Sequence, residues 1–127
     1  MSVPGSSTVD GTKLDIEPCA SGVNQEFTMT AAGAILTYDT KCVDGYQQGT
    51  SPGTVVDMFT CNGGSNQRWE WRPNGTITNA ESVLCLDVLN QSTSSGGRVD
   101  EYTCNGGANQ EWTRRWLAAH LGHLRRR

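Results

Sequence analysis

The sequence predicts an all-β chain folded as a β-trefoil, and three observations carry that prediction. One phrase recurs: C-N-G-G-A-N-Q-E-W at residues 104–112, C-N-G-G-S-N-Q-R-W at 61–69 and, worn, C-A-S-G-V-N-Q-E-F at 19–27. Its cysteines, Cys19, Cys61 and Cys104, lie 42 and 43 residues apart. A fixed period of that size marks units that share one core with their neighbours. The 15 glycines, and short runs of strand-forming residues bounded by turn residues, favour strands over helices. Four strands per unit, three units, and closure of the array to remove open sheet edges lead to the trefoil.

At 127 residues the chain allows one domain with one core. The domain is expected over residues 1–113, with repeats at about 1–30, 31–72 and 73–113, and residues 114–127 as a separate basic tail. In the first repeat Leu14 and Ile16 alternate with Asp15 and Glu17 as a half-buried strand, followed by a strand over 24–29. The second repeat opens at Ala34, passes through Cys42-Val43-Asp44, crosses a polar loop over 47–53, and continues through strands at 54–61 and 67–71. Pro73-Asn74-Gly75 is a turn signal that hands over to the third repeat. There the order returns, with strands at 76–78, 84–88, 99–104 and 110–113 and a Ser/Gly loop at 92–97.

The first repeat is expected to be truncated at its N-terminus, since Met1 and Ser2 stand where its C-x-D should end. Its first strand and most of its second are then absent and the barrel has an open seam, to be closed by the tail or by a neighbouring molecule through domain swapping or edge pairing. Within the tail, Trp116, Leu117, His120, Leu121 and Leu124 fall on one helical face, which makes a short basic amphipathic helix one expectation and a non-native segment the other.

Cys42 and Cys61 are 19 residues apart, and so are Cys85 and Cys104. Equal spacing predicts one disulfide per repeat and an oxidising compartment, with Cys19 left without its mate. Zinc is disfavoured because no C-x-x-C occurs and His120 and His123 lie in the tail; no metal or cofactor is expected. All 13 acidic residues lie at or before Glu111, whereas five of the ten basic ones follow it. The repeats are therefore strongly acidic and should repel nucleic acid, and no apolar run is long enough to suggest a membrane span or a secretory leader. Asn74-Gly75-Thr76 and Asn90-Gln91-Ser92 fit the glycosylation pattern, a match that arises easily by chance.

Strand alternation places Cys85 with Asp87 on one side, and Asp100 and Tyr102 with Cys104. A Cys85–Cys104 bridge would then bring Asp87, Asp100 and Tyr102 to one shallow site, reproduced in the second repeat by Asp44, Asp57 and Phe59. Carboxylates accept from hydroxyl groups and a ring offers a flat apolar face, which together suit a neutral sugar. Asn109 and Gln110, or Asn66 and Gln67, complete each set, with Gln either touching ligand or holding the Asp. Trp69 and Trp112 are read as core.

Taken together, the repeated Q-x-W, C-x-D and C-N-G-G-x-N-Q resemble the ricin B-type lectin family, including family 13 carbohydrate-binding modules of bacterial secreted glycoside hydrolases. The resemblance covers residues 3–113 and implies a β-trefoil with up to one sugar site per repeat. It implies sugar contact by Asp87, Asp100, Tyr102 and Asn109, with Gln110 in support, and by Asp44, Asp57, Phe59 and Asn66, with Gln67. Phe59 lacks a hydroxyl, so that site ranks second. In the first repeat Asp15, Asn24 and Gln25 remain, but Glu17 replaces the ring and the first Asp is missing, so this site is expected to be dead. The implied function is a secreted, non-catalytic module that binds galactose-type or xylan/arabinan-type polysaccharide, as part of a larger bacterial enzyme. The alternative is a free-standing lectin that crosslinks glycans. Exposed carboxylates without desolvation argue against catalysis, and a purely structural or inhibitory trefoil is the remaining reading.

Overall fold

Short strands form where apolar residues alternate and end at turns with positive φ, so the backbone follows the repeats. The computed structural model describes residues 1–117 and 121–126, with side chains through Thr113. The strands are β1 (Thr12–Lys13), β2 (Asp15–Ile16), β3 (Phe27–Met29), β4 (Ile35–Thr37), β5 (Lys41–Gly45), β6 (Thr54–Thr60), β7 (Trp69–Trp71), β8 (Ile77–Asn79), β9 (Cys85–Val88), β10 (Gly97–Tyr102), β11 (Trp112–Leu117) and β12 (Leu121–Arg126). The antiparallel path runs β3-β4-β5-β6-β10-β9-β8-β7, with β1 on β6, β2 on β10, and β11 paired to β12. This is a β-trefoil, as the repeats predict.

The single strand expected around Leu14 is split, because its two halves pair with different repeats. Lys13 lies opposite Asp57 of β6, whereas Asp15 lies opposite Arg98 of β10. At the break the Leu14 amide donates to the Val56 carbonyl at 3.0 Å, and the Val99 amide donates to the Leu14 carbonyl at 3.1 Å. Leu14, Val56 and Val99 each stand five residues before a repeat cysteine and are fully buried, so the three repeats meet on them. Asp15, expected on the solvent side of a half-buried strand, is itself buried: Ser2 pairs with it and covers it.

Phe27, Trp69 and Trp112 fill equivalent places in the core. Each indole also donates a hydrogen bond, Trp69 Nε1 to the Val43 carbonyl and Trp112 Nε1 to the Leu86 carbonyl, both at 3.0 Å. Met1 and Val3 are buried in the same core. They occupy the repeat positions of Leu86 and Val88, two residues that are buried in β9.

The tail corrects the expectation of a helix. In β3–β4 Phe27 pairs with Thr37, in β7–β8 Trp69 pairs with Asn79, and in β11–β12 Trp112 pairs with Arg126. β12 therefore stands to β11 as β4 stands to β3 and β8 to β7, at the seam where the first repeat was expected to be open. It also lies beside β3. An extended edge needs a pairing strand more than the tail's apolar residues need a helical face. Of the residues assigned to that face, His120 lies outside the described residues.

Replacing Trp112 with alanine should destabilise the protein by about 3–5 kcal/mol in urea denaturation. Trp112→Phe, which imitates Phe27 of the first repeat, should lose about 1 kcal/mol from the missing Nε1 donor. A Trp112→Phe protein as stable as the parent would show that the indole hydrogen bond contributes nothing separable.

Candidate functional site

Two disulfides set the geometry. Cys42–Cys61 and Cys85–Cys104 each hold their Cα atoms at 5.1 Å, as their equal spacing predicts, while Cys19 forms no disulfide among the described residues. Each link ties the start of one strand to the end of the next. In β9–β10 this places Tyr102 opposite Cys85 and Asp100 opposite Asp87. In β5–β6 it places Phe59 opposite Cys42 and Asp57 opposite Asp44. Directly opposed residues of an antiparallel pair share a face, so two carboxyl groups meet side by side with a ring at the rim. The carboxyl-bearing residues are buried, Asp87 at 3% and Asp100 at 1% exposure, whereas Tyr102 is 44% and Phe59 40% exposed.

A helical turn at Ala108–Gln110 supplies the amides. Asn109 Nδ2 donates to Asp87 Oδ2 at 3.0 Å and to the Val88 carbonyl at 3.1 Å. Gln110 Nε2 donates to the same Asp87 oxygen at 2.8 Å and to the Thr103 carbonyl at 2.9 Å, and its Oε1 accepts from the Asn105 amide. The second repeat duplicates this set: Asn66 and Gln67 donate to Asp44 Oδ2 at 3.0 and 2.9 Å. The second glycine of C-N-G-G is explained by the same packing. A Cβ on Gly107 would lie 2.6 Å from Asn109 Oδ1, and one on Gly64 2.7 Å from Asn66 Oδ1.

Asp87, Asp100, Tyr102 and Asn109 line one depression of about 290 Å³. Gln110, counted among the sugar contacts from sequence, does not line it. Gln110 is fully buried and its amide is committed to protein partners, and Gln67 is held in the same way. These glutamines position the aspartates. Leu89, Asn90, Gln91 and Asn105 also line the depression and were not singled out from sequence. The available signal was their position, since Leu89–Gln91 form the same helical turn that Tyr46–Gln48 form in the second repeat. In the first repeat Asn24 still donates to the Val3 carbonyl at 3.1 Å and Gln25 to the Pro18 carbonyl at 3.0 Å. Ser2 stands there in place of the carboxylate, reached by Asn24 at 3.5 Å, and no ring follows.

The carboxyl pairs are electrostatically strained. Among the described residues no donor reaches either oxygen of Asp100 or Oδ1 of Asp57. Burial first, and then the adjoining Asp87, push Asp100 up to about 8. Burial and Asp44 push Asp57 up to about 8 in the same way. Burial raises Asp15 to about 7, with Glu17 adding to the effect, and raises Glu101 to about 7. Each pair can thus keep one proton at neutral pH, leaving an acceptor-rich partner beside a hydroxyl donor.

An acid whose folded pKa is raised is protonated in both states in strong acid, so its contribution is intact below the ordinary value of 3.8. As pH climbs, the unfolded chain releases its proton first, and the stability is progressively lost through the folded value near 8. The melting temperature should therefore fall between about pH 5 and pH 8, and Asp57→Asn with Asp100→Asn should flatten that slope. Parallel melting curves for the double variant and the parent would refute the assignment.

Comparison with known proteins agrees with this architecture. The designed 3-fold symmetric protein ThreeFoil superposes with a TM-score of 0.79 at 28% identity, covering 97% of this chain and 87% of that one. The agglutinin from Abrus precatorius superposes at 0.80 with 27% identity, over 88% of this chain and 42% of that one. A non-toxic homologue of type II RIPs from Momordica charantia (bitter gourd), solved in complex with α-methyl-D-galactoside, shares the fold at 0.79 and 24% identity, over 96% of this chain and 42% of that one. The chain thus spans about two-fifths of either plant protein. The profile of the ricin-type beta-trefoil lectin domain matches residues 1–112. With its repeats, paired disulfides and Asp–Asn–Gln sets in register with that match, this chain belongs to the ricin-type β-trefoil lectin domain family.

Proposed function

We propose that the protein is a non-catalytic carbohydrate-binding module, and that its principal sugar site is the depression at Asp87, Asp100, Tyr102 and Asn109. The single observation that carries this reading is the convergence of two buried carboxyl groups and a 44% exposed ring on one depression of about 290 Å³. Asp87 accepts from sugar hydroxyls, and its other oxygen is fixed by Asn109 and Gln110. A second carboxyl that keeps its proton donates where Asp87 accepts. Tyr102 offers its face to the C–H side of a pyranose. The second repeat presents Asp44, Asp57, Phe59 and Asn66 in the same arrangement, without the phenolic hydroxyl, and serves as a weaker site.

Galactose-type and xylan/arabinan-type saccharides are the proposed ligand class; the galactoside complex of the bitter-gourd protein, which has the same fold, supports the first of these. The carboxyl groups are cross-strand neighbours and approach a ligand from one side. A glycosidase needs them on opposite sides of the scissile bond, which supports binding without turnover. Disulfides favour an extracellular setting, and attachment to a larger secreted enzyme is the proposed context. Two equivalent sites on one chain favour, as a second reading, a lectin that crosslinks glycans, and aggregation of glycan-coated beads by the isolated chain would select it.

Binding of a single sugar should be weak, about −4 kcal/mol or millimolar. Asp87→Ala should reduce affinity at this site by about tenfold or more in calorimetry while leaving the second-repeat site intact. An unchanged titration would remove Asp87 from the site.

A further inference from the structure

Three superposed positions decide what charge each depression already holds. Asp15, Asp57 and Asp100 stand four residues before Cys19, Cys61 and Cys104. Across the strand pairing each faces the residue that stands six before a repeat cysteine in another repeat: Asp15 faces Arg98, Asp57 faces Lys13, and Asp100 faces Val55. The register therefore sets a basic residue opposite two of the three aspartates and a valine opposite the third.

The second repeat shows what the cation does. Lys13 reaches over the Tyr46 ring, with Nζ 4.5 Å from its centroid, and its charge acts on Asp57. Tyr46 occupies the repeat position of Leu89, which lines the third-repeat depression. The ammonium of Lys13 thus stands over the ring at the second-repeat counterpart of Leu89, from where its charge reaches Asp57.

Among the described residues no such group serves the third repeat. The residues that line its depression include neither lysine nor arginine. Asp87 faces Asp100 from β9 and Glu101 follows it on β10, so the nearest charges are of like sign. From β6 the facing residue is Val55. On the β2 side Arg98 lies opposite Asp15 and does not line the depression. Asp100, 1% exposed, receives no donor on either oxygen among the described residues and meets only the carboxyl of Asp87. Two buried carboxyl groups that meet with no counter-charge among the described residues form a receptor for a cation carried by the ligand, which takes the place of the proton the pair otherwise keeps.

We infer that the third-repeat depression selects an amino sugar with a free amine, its ammonium seated between Asp87 and Asp100. This rests on the reading of that depression as a sugar site and adds a charge preference to it. An ammonium brings three donors to oxygens that can only accept once ionised, and such charge-assisted bonds are stronger than those of a neutral hydroxyl. N-acetylation removes both the charge and two of the donors, so the acetylated sugar should lose the advantage. Tyr102 remains free to stack on the ring in either case.

The test pairs each amine with its hydroxyl parent: galactosamine against galactose and glucosamine against glucose, with N-acetylgalactosamine as the uncharged amide, all titrated at about pH 6, where a sugar amine is protonated. Calorimetry is read together with amide chemical shifts at Asp87, Tyr102 and Asn109. The expected result is that at least one amine binds this site about tenfold more tightly than its parent and that salt erodes the difference. Val55→Lys should abolish the preference by installing the resident cation, and Lys13→Val should create a new amine site in the second repeat. Parents binding as tightly as their amines, or a folded Val55→Lys protein that keeps the preference, overturns the inference and leaves the sugar reading standing. If Val55→Lys does not fold, the absence of new amine binding in Lys13→Val overturns it. No response to any of these sugars or to xylan- and arabinan-derived oligosaccharides overturns both readings.

Discussion

A buried carboxylate that two amides must satisfy is the constraint on which each intact repeat depends. Asp87 Oδ2 takes hydrogen bonds from Asn109 and Gln110, and Asp44 Oδ2 takes them from Asn66 and Gln67. A buried charge without such partners is prohibitively costly, so the turn that carries the amides is drawn onto the strand that carries the acid. That contact aims the next residue but one, Trp112 or Trp69, into the core. It also leaves the remaining carboxylate oxygen to form the floor of a depression. One hydrogen-bond set therefore serves both the core and the candidate site, and Gln110 supports that site without lining it.

Around this constant frame the repeats diverge at a handful of positions. In the first repeat Ser2 and Glu17 replace the acid and the ring while Asn24 and Gln25 keep their backbone partners, so the scaffold contacts survive without the acid and the ring. In the second, Lys13 neutralises part of the charge and Phe59 supplies a ring without a hydroxyl. In the third, no cation faces the acids among the described residues. Raised carboxyl pKa values at Asp57 and Asp100 mark places where folding tolerates an electrostatic penalty at a functional site. Glu101, buried with Oε2 unpartnered, adds a further penalty where the second and third repeats meet.

The number of repeats, the trefoil, both disulfides, the core role of Trp69 and Trp112 and the meeting of Asp87 with Asp100 and Tyr102 were all legible in the sequence by itself. They follow from the 42–43-residue period, the equal cysteine spacing and period-two alternation, which are local or repeating properties of the chain. Three matters were decided only by tertiary structure, because each depends on a partner far away along the chain. Leu14 breaks its strand in two since its neighbours pair with different repeats. The tail extends as β12 along β11 because the sheet edge there needs a strand, whatever helical periodicity the tail contains. The residue opposite each buried aspartate is set by inter-repeat register, which no spacing within one repeat encodes: Arg98 for Asp15, Lys13 for Asp57 and Val55 for Asp100.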